Sequence, residues 1–361
     1  MVMRMVLFKC VAKWQAAGYG VQMDDRFGHF NHAAWADNMY LVSRERKHVE
    51  TMFEDLTLVL ASADLHWNPE SLKILHTDGG SPRTSLTITV TGRDHQIEFV
   101  EELEVLGCLV APFGYTTAAA EHRLSKATSA FWAMSSYFLC KAIHINKRME
   151  EFHKRIIPIA SYGSSGWLSC KALYTLCYTW ENHLLRLMLG RGRKPNEGHA
   201  LHMQRSTHKA RQFYHRDGRK ALFSIYLGSL HKAGASLVHL GTQASATLQL
   251  LPASILRRDT EWWQIYQATH QFHRADGWRH TRRGGHLRWD MVFLHAFGSA
   301  WTAFANVPEE WACKKGEFIA KAYGYLHVKE LEHRFDVKKE SKSDVRPFKK
   351  PRLTPKLQLT W

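Results

Sequence analysis

Asn31-His32-Ala33-Ala34-Trp35-Ala36-Asp37-Asn38-Met39-Tyr40-Leu41-Val42 sets an acidic turn between two short runs of apolar and aromatic residues. That arrangement predicts a strand–turn–strand unit. A carboxylate at such a turn is held by sheet on both sides yet points out of it, which suits a metal ligand. An ordinary hairpin turn at Asp37-Asn38 is the other reading, because Asx side chains satisfy local backbone groups there. Downstream, residues 44 to 62 place Val49, Met52, Phe53, Leu56, Val59 and Leu60 on one stripe at helical spacing. Pro69 and Asp78-Gly79-Gly80-Ser81-Pro82 break that pattern. Leu86, Ile88 and Val90 then alternate, Thr91-Gly92-Arg93-Asp94 turns the chain, and Ile97 and Phe99 resume the alternation. A hairpin over 84–100 is the expectation. From about Ala118 the period changes, with Leu124, Ala127, Phe131, Met134 and Phe138 at intervals of three and four. A second amphipathic stretch runs from Cys170 to Leu189 through Leu173, Leu176, Trp180, Leu184 and Leu187. The chain is therefore expected to be α+β, with two structural units joined near residues 111 to 118.

Composition bounds the function. The chain has 361 residues, 45% apolar and 23% charged, which are globular values. Apolar stretches such as Val105 to Tyr115 are about half a bilayer span, so no transmembrane helix is expected. The start has neither the apolar run nor the cleavage site of a secretory signal. Six cysteines without a Cys-x-x-Cys pair point to reduced thiols in a nuclear or cytoplasmic setting. Lys and Arg outnumber Asp and Glu by 49 to 33, a net charge of +16, which favours a polyanionic partner. The surplus is concentrated. Between Arg191 and Lys220 lie nine Lys/Arg against two acids, Glu197 and Asp217. Arg191, Arg193, Lys194, Lys209 and Arg211 are candidates to track a phosphate backbone, with a solvated loop or helix face as the alternative. Lys338-Lys339 and Lys349-Lys350-Pro351-Arg352 mark a basic, disordered tail that resembles a two-part nuclear import signal or is simply solubilising. Trp262, Trp263, Trp278, Trp289, Trp301 and Trp311 crowd the last third beside several arginines. They could stack on unpaired bases. Core packing is the other reading, because Trp301, Phe304 and Trp311 fit one helical face. His199-x-x-His202 has no cysteine or carboxylate at metal-ligand spacing, so no zinc site is read there.

A set of motifs carries a resemblance. Trp35-Ala36-Asp37-Asn38 resembles the Phe/Tyr-Ala-Asp-Asp hairpin of reverse transcriptases. In order after it come Ala63-Asp64-Leu65-His66-Trp67-Asn68-Pro69-Glu70-Ser71-Leu72-Lys73, Val105-Leu106-Gly107-Cys108 and Arg123-Leu124-Ser125-Lys126-Ala127. Ile157-Pro158 to Ser161-Tyr162-Gly163-Ser164-Ser165-Gly166-Trp167, Leu184 to Gly190, and Arg282-Arg283-Gly284 to Arg288-Trp289-Asp290 follow. Together they are similar to the reverse transcriptase of non-LTR retrotransposons over residues 18 to 311. The resemblance implies a partial polymerase palm over 1–110, comprising a catalytic hairpin and a primer-grip hairpin. It further implies a helical thumb over 111–190, a basic helical connector over 191–330 and a basic tail over 331–361. By that resemblance Asp37 and Asn38 would hold Mg²⁺, Lys73 would protonate the leaving pyrophosphate, and Leu106 and Gly107 would grip the primer. RNA template and DNA primer are the implied partners.

The departures matter. A polymerase of this kind needs a further metal-binding aspartate and fingers upstream, and only 36 residues precede Asp37, with Asp24 and Asp25 the sole acids among them. Asn38 stands where the family has a second aspartate, and it offers a neutral oxygen without charge. The family's lysine position corresponds to Ser71, with Lys73 two residues on, and Val105 replaces a tyrosine. The expectation is a polymerase fragment inactive by itself, or a nonenzymatic nucleic-acid-binding protein derived from a retroelement.

Overall fold

The computed structural model describes residues 2–24, 28–76, 85–110, 115–247 and 291–328. Helix α1 (Val2–Ala16) opens the chain and is followed by two antiparallel pairs. These are β1 (Val21–Asp24) with β2 (Gly28–Phe30), and β3 (His32–Trp35) with β4 (Asn38–Leu41). Helix α2 (Arg46–Ala61) realises the predicted stripe, and its stripe serves two cores. Met52, Leu56 and Leu60 pack on Leu7, Cys10 and Trp14 of α1. Phe53 turns instead to Leu86, Ile88, Val90 and Ile97 of the next sheet. Asp55 fastens α1 to α2, accepting from Lys13 Nζ at 2.6 Å and from the Trp14 indole N–H at 3.0 Å. The sheet beneath α2 has the order β5-β7-β6, with β5 (Lys73–Leu75) parallel to β7 (Arg93–Val100) and β6 (Ser85–Val90) antiparallel to it. Thr91 and Gly92 both have positive φ, so the hairpin closes on a two-residue turn of the I′ kind. Arg93 and Asp94, read as part of that turn, instead pair with Val90 and Thr89 in the strands. A last hairpin joins β8 (Leu103–Val105) to β9 (Cys108–Val110).

The rest of the described chain is helical, so the protein is mixed α+β. It runs through α3 (Tyr115–Ala133), α4 (Ser135–Phe138), α5 (Ile145–Glu151), a π-helical segment (Phe152–Ile156) and α6 (Ile157–Ser161). Then come α7 (Lys171–Leu189), α8 (His199–His215) and α9 (Leu222–Thr247), followed by α10 (Met291–Phe297), α11 (Trp301–Ala305), α12 (Pro308–Cys313) and α13 (Lys315–Tyr325). Pro158 lacks the amide that would close on the Lys154 carbonyl, and the π turn immediately before α6 absorbs that loss. Helix α7 starts where Cys170 Sγ accepts from the Leu173 amide and stops at Gly190, whose left-handed φ of 58° ends the helix. Arg148, buried and with no carboxylate partner among the described residues, donates to the carbonyls of Phe138, Ile143 and Met188, joining three chain segments. One apolar core runs from Leu109 to Leu326 through Phe131, Phe152, Tyr214, Tyr226 and Phe318. That core draws residues from both sides of position 190. No helix among the described residues is long and apolar enough to cross a membrane.

Trp301 and Trp311 are buried, as their core reading requires, yet they lie on two different short helices. Pro308, at the first position of α12, cannot continue the preceding helix and re-aims the chain between them. The Arg282–Asp290 element, Trp262, Trp263, Trp278 and Trp289, and the basic tail from Lys338 to Arg352 lie outside the described residues.

His231 stacks on Trp311 with ring centroids 4.1 Å apart, and its Nε2 is buried without a hydrogen-bond partner. Burial, helped by the Lys315 ammonium, pushes its pKa down from 6.5 to about 4. The unfolded chain therefore takes up this proton first as pH falls, so stability is lost progressively from about pH 6.5 toward pH 4. Replacing the ring by His231→Phe should flatten that part of the curve of unfolding midpoint against pH, as read by thermal denaturation.

Candidate nucleic-acid interface

The hairpin β3–β4 turns on two residues, Ala36 and Asp37, with Trp35 paired to Asn38. Ala36 has φ +54°, a left-handed conformation that glycine, asparagine or aspartate more often fills at a two-residue hairpin turn. The turn is thus one residue earlier than the Asp37-Asn38 reading, and Asn38 is the first residue of β4. A two-residue loop with the hand of the strand twist closes this hairpin better than a turn centred on Asp37-Asn38. Asp37 and Asn38 are both exposed. Lys73, also exposed, begins β5, faces Glu98 across the ladder and belongs to a different sheet. No hydrogen bond or ion pair joins it to Asp37 among the described residues. Nor do three His, Cys, Asp or Glu side chains converge anywhere among them. One carboxylate and one amide at an exposed turn fall short of the oxygen shell that Mg²⁺ requires, so Asp37 and Asn38 as they stand do not fit that ion.

The second hairpin is built more firmly. Leu106 (φ +50°) and Gly107 (φ +80°) form a I′ turn between β8 and β9. Two distant segments hold it, α3 and the stretch from Ile159 to Gly163. Arg123 of α3 donates from Nη1 to the Gly107 carbonyl at 3.1 Å, and from Nε and Nη2 to the Ile159 carbonyl at 3.1 and 2.9 Å. The same guanidinium therefore reinforces a carbonyl at the C-terminal end of α6, which also takes the Tyr162 amide at 3.5 Å, and fixes the turn. Tyr162 donates its hydroxyl to the Leu106 carbonyl at 3.0 Å, and its ring lies 4.8 Å from the Arg123 guanidinium carbon. Gly163 sits at φ +68° with its α-carbon so close to Cys108 that an added Cβ would overlap the sulfur. Alongside, Glu104 of β8 accepts from Lys126 of α3 and has His122 within 3.3 Å. The Lys126 contact holds the Glu104 carboxyl below its usual range. Neither Arg123 nor Tyr162 was singled out as a site residue by sequence; the only signal for them was membership in the two motifs that meet here. Leu106 remains 42% exposed and Tyr162 50%, so the turn's outer face is open.

The basic segment divides into outside and inside. Arg191, Arg193 and Lys194 are exposed, in the loop between α7 and α8. Lys209 is half-buried, bonded to Gln212 at 2.8 Å with its ammonium 5.2 Å from the Phe213 ring. Arg211, read as a phosphate contact, is instead interior. It pairs with Glu181 of α7 at 2.5 Å, donates to Asn182 at 2.7 Å, and is almost fully covered. A buried acid on the facing helix captured that charge, which spacing along one helix cannot disclose.

Comparison with known proteins adds no relative: no protein family, no curated protein and no solved structure matches the chain.

Two outcomes test this description. Arg211→Met should cost about 3–5 kcal/mol in denaturant unfolding, because it leaves Glu181 buried and unpaired, and Glu181→Leu in the same chain should recover most of it. Gly163→Ala should be strongly destabilising, with Cys108→Ala relieving the overlap and leaving about 1–2 kcal/mol from the left-handed backbone.

Proposed function

We propose that this chain is a catalytic-hairpin-to-C-terminal region of a non-LTR retrotransposon RNA-directed DNA polymerase. Its role in isolation is to hold a template–primer duplex, with little or no DNA synthesis. The observation that supports it best is the meeting of three segments that resemble that family: Val105–Cys108, Arg123–Ala127 and Ile157–Trp167. They lie far apart in sequence yet pack on one turn through Arg123, Tyr162 and Gly163. In this reading α+β residues 1–110 are the palm remnant, with Leu106 and Gly107 as the primer-grip turn. The helices after 115 form the thumb and connector, facing an RNA template and a DNA primer in a nuclear or cytoplasmic setting. Low activity follows from the single carboxylate at the Ala36-Asp37 turn, since two-metal nucleotidyl transfer needs several carboxylates to hold both ions.

A nonenzymatic nucleic-acid-binding protein is the second reading, favoured by the exposed cations of Arg191, Arg193 and Lys194 beside a buried, neutralised acid. Both readings predict binding to primed RNA that weakens steeply with salt. Purified chain given primed RNA template, Mg²⁺ and deoxynucleotides should bind and not extend. Templated extension that disappears in Asp37→Ala would overturn the inactivity, and absence of any nucleic-acid binding would overturn both readings.

A further inference from the structure

We propose that the loop of residues 190–198 is a preorganised phosphate-binding loop, completed by Lys141 from another segment, with Glu197 as its positioning residue. This deepens the nucleic-acid reading above and rests on it. The loop leaves α7 at Gly190, whose amide donates to Arg186 O at 3.0 Å. A Cβ at Gly190 would lie 3.6 Å from Cε of Lys141, so the exposed Lys141 stem rests against the loop's first residue. Above Gly192 there is open space, with nothing within 4 Å of an added Cβ, so a bulky strand can approach the backbone.

Glu197 is the device that gives this loop one shape. It is buried in a loop whose neighbours are exposed. Its carboxylate accepts a two-pronged contact from Arg205 of α8, at 2.6 Å from Nε and 2.8 Å from Nη2. It also accepts the Lys194 amide at 3.0 Å, while its backbone carbonyl takes Nε of Arg193 and its amide donates to Lys194 O at 3.1 Å. Arg205 reaches on to the Gly192 carbonyl at 3.2 Å, and His202 Nδ1 lies 3.6 Å from the carboxylate. Asn196, at φ +60°, makes the reversal that returns Glu197 to the strand it clamps. The Arg205 contact first, and the Lys194 amide second, hold this carboxyl down to about 2, so it stays ionised across the working pH range.

The consequence is a loop whose one acid is spent internally. Among the described residues no carboxylate pairs with the side chains of Arg191, Arg193, Lys194 or Lys141, and all four residues are exposed, Arg193 with its Nε on the Glu197 carbonyl. A local excess of positive charge on one loop favours a polyanion. Arginine forks suit phosphate oxygens, and among the described residues Leu139 and Leu201 are the large exposed apolar side chains next in sequence to Lys141 and the loop, which offer little for a membrane to bury.

The test is fluorescence anisotropy of a labelled RNA–DNA hybrid, titrated with the full chain across a range of KCl concentrations. Lys141→Gln with Arg191→Gln, Arg193→Gln and Lys194→Gln should lower the slope of log K against log salt by about 3–4. Glu197→Gln should weaken binding by roughly five- to tenfold although it removes a negative charge, because the loop loses its fixed geometry. Thermal unfolding of each variant separates this from global loss of fold, and Lys141→Gln alone, at an exposed position, should lower the slope by about one. Unchanged slopes in the loop variants, with hybrid binding intact, would overturn the loop and leave the functional reading standing. Tighter binding by Glu197→Gln would overturn the positioning role. Loss in the loop variants of binding to polyglutamate or phosphatidylserine vesicles alone would assign the loop to another partner and overturn the proposal. Failure of the unmodified chain to bind any nucleic acid would remove the functional reading itself.

Discussion

The guanidinium of Arg123 pairs with no carboxylate among the described residues, and its hydrogen bonds instead go to the carbonyls of Gly107 and Ile159. A planar fork can serve two main-chain oxygens at once, and a lysine ammonium in the same place would lose that geometry. Because one of those oxygens belongs to a β turn and the other to the end of α6, this one side chain bridges the small sheet β8–β9 and the helical part. Tyr162 and Gly163 complete the junction, one by a hydroxyl donated to Leu106 O and the other by having no side chain at all. Every proposed contact of the Leu106-Gly107 turn with a strand depends on this junction.

Behind it, the helical part is held by charges that have been taken out of water and satisfied. Arg148 draws three carbonyls together, and Arg211 pairs with Glu181, which also accepts the Leu222 amide at 3.0 Å. Arrangements of this kind contribute little net stability compared with apolar packing, but they tolerate only one mutual placement of the helices. The placement in turn sets where α7 ends and α8 begins, and hence where the basic loop projects. Net charge alone did not define that surface. Of the five basic residues singled out along the segment, one is core, one is half-buried, and three stand in the loop.

Local pattern carried much of the architecture. The stripe of α2 and the alternation of Leu86, Ile88 and Val90 were legible because each is a short-range consequence of burying one face of a regular element. The start of α7 near Cys170 and its end at Gly190 were legible for similar local reasons. Helix α1 was not foreseen, since its apolar residues run almost continuously and display no clear period. Phe53 and Met52 are adjacent in sequence and on one stripe, yet they serve different cores, which only the positions of α1 and the sheet reveal. The split of Trp301 and Trp311 onto two helices follows from Pro308, which cannot continue the preceding helix.

The candidate site was legible as a set of strings and illegible as a place. By itself the sequence determined element types, the excess of positive charge and the order of the motifs, because these depend on residue identity and near-neighbour geometry. Tertiary structure alone decided that the motifs of Val105–Cys108, Arg123–Ala127 and Ile157–Trp167 meet on one turn. It also decided that Lys73 and Asp37 sit in separate sheets, that Arg211 belongs to the interior and that Glu197 ties the basic loop. Those outcomes turn on which carbonyl or carboxylate a long side chain finds across tens of residues, and hydrogen-bond partners at that range are set by packing rather than by spacing along the chain.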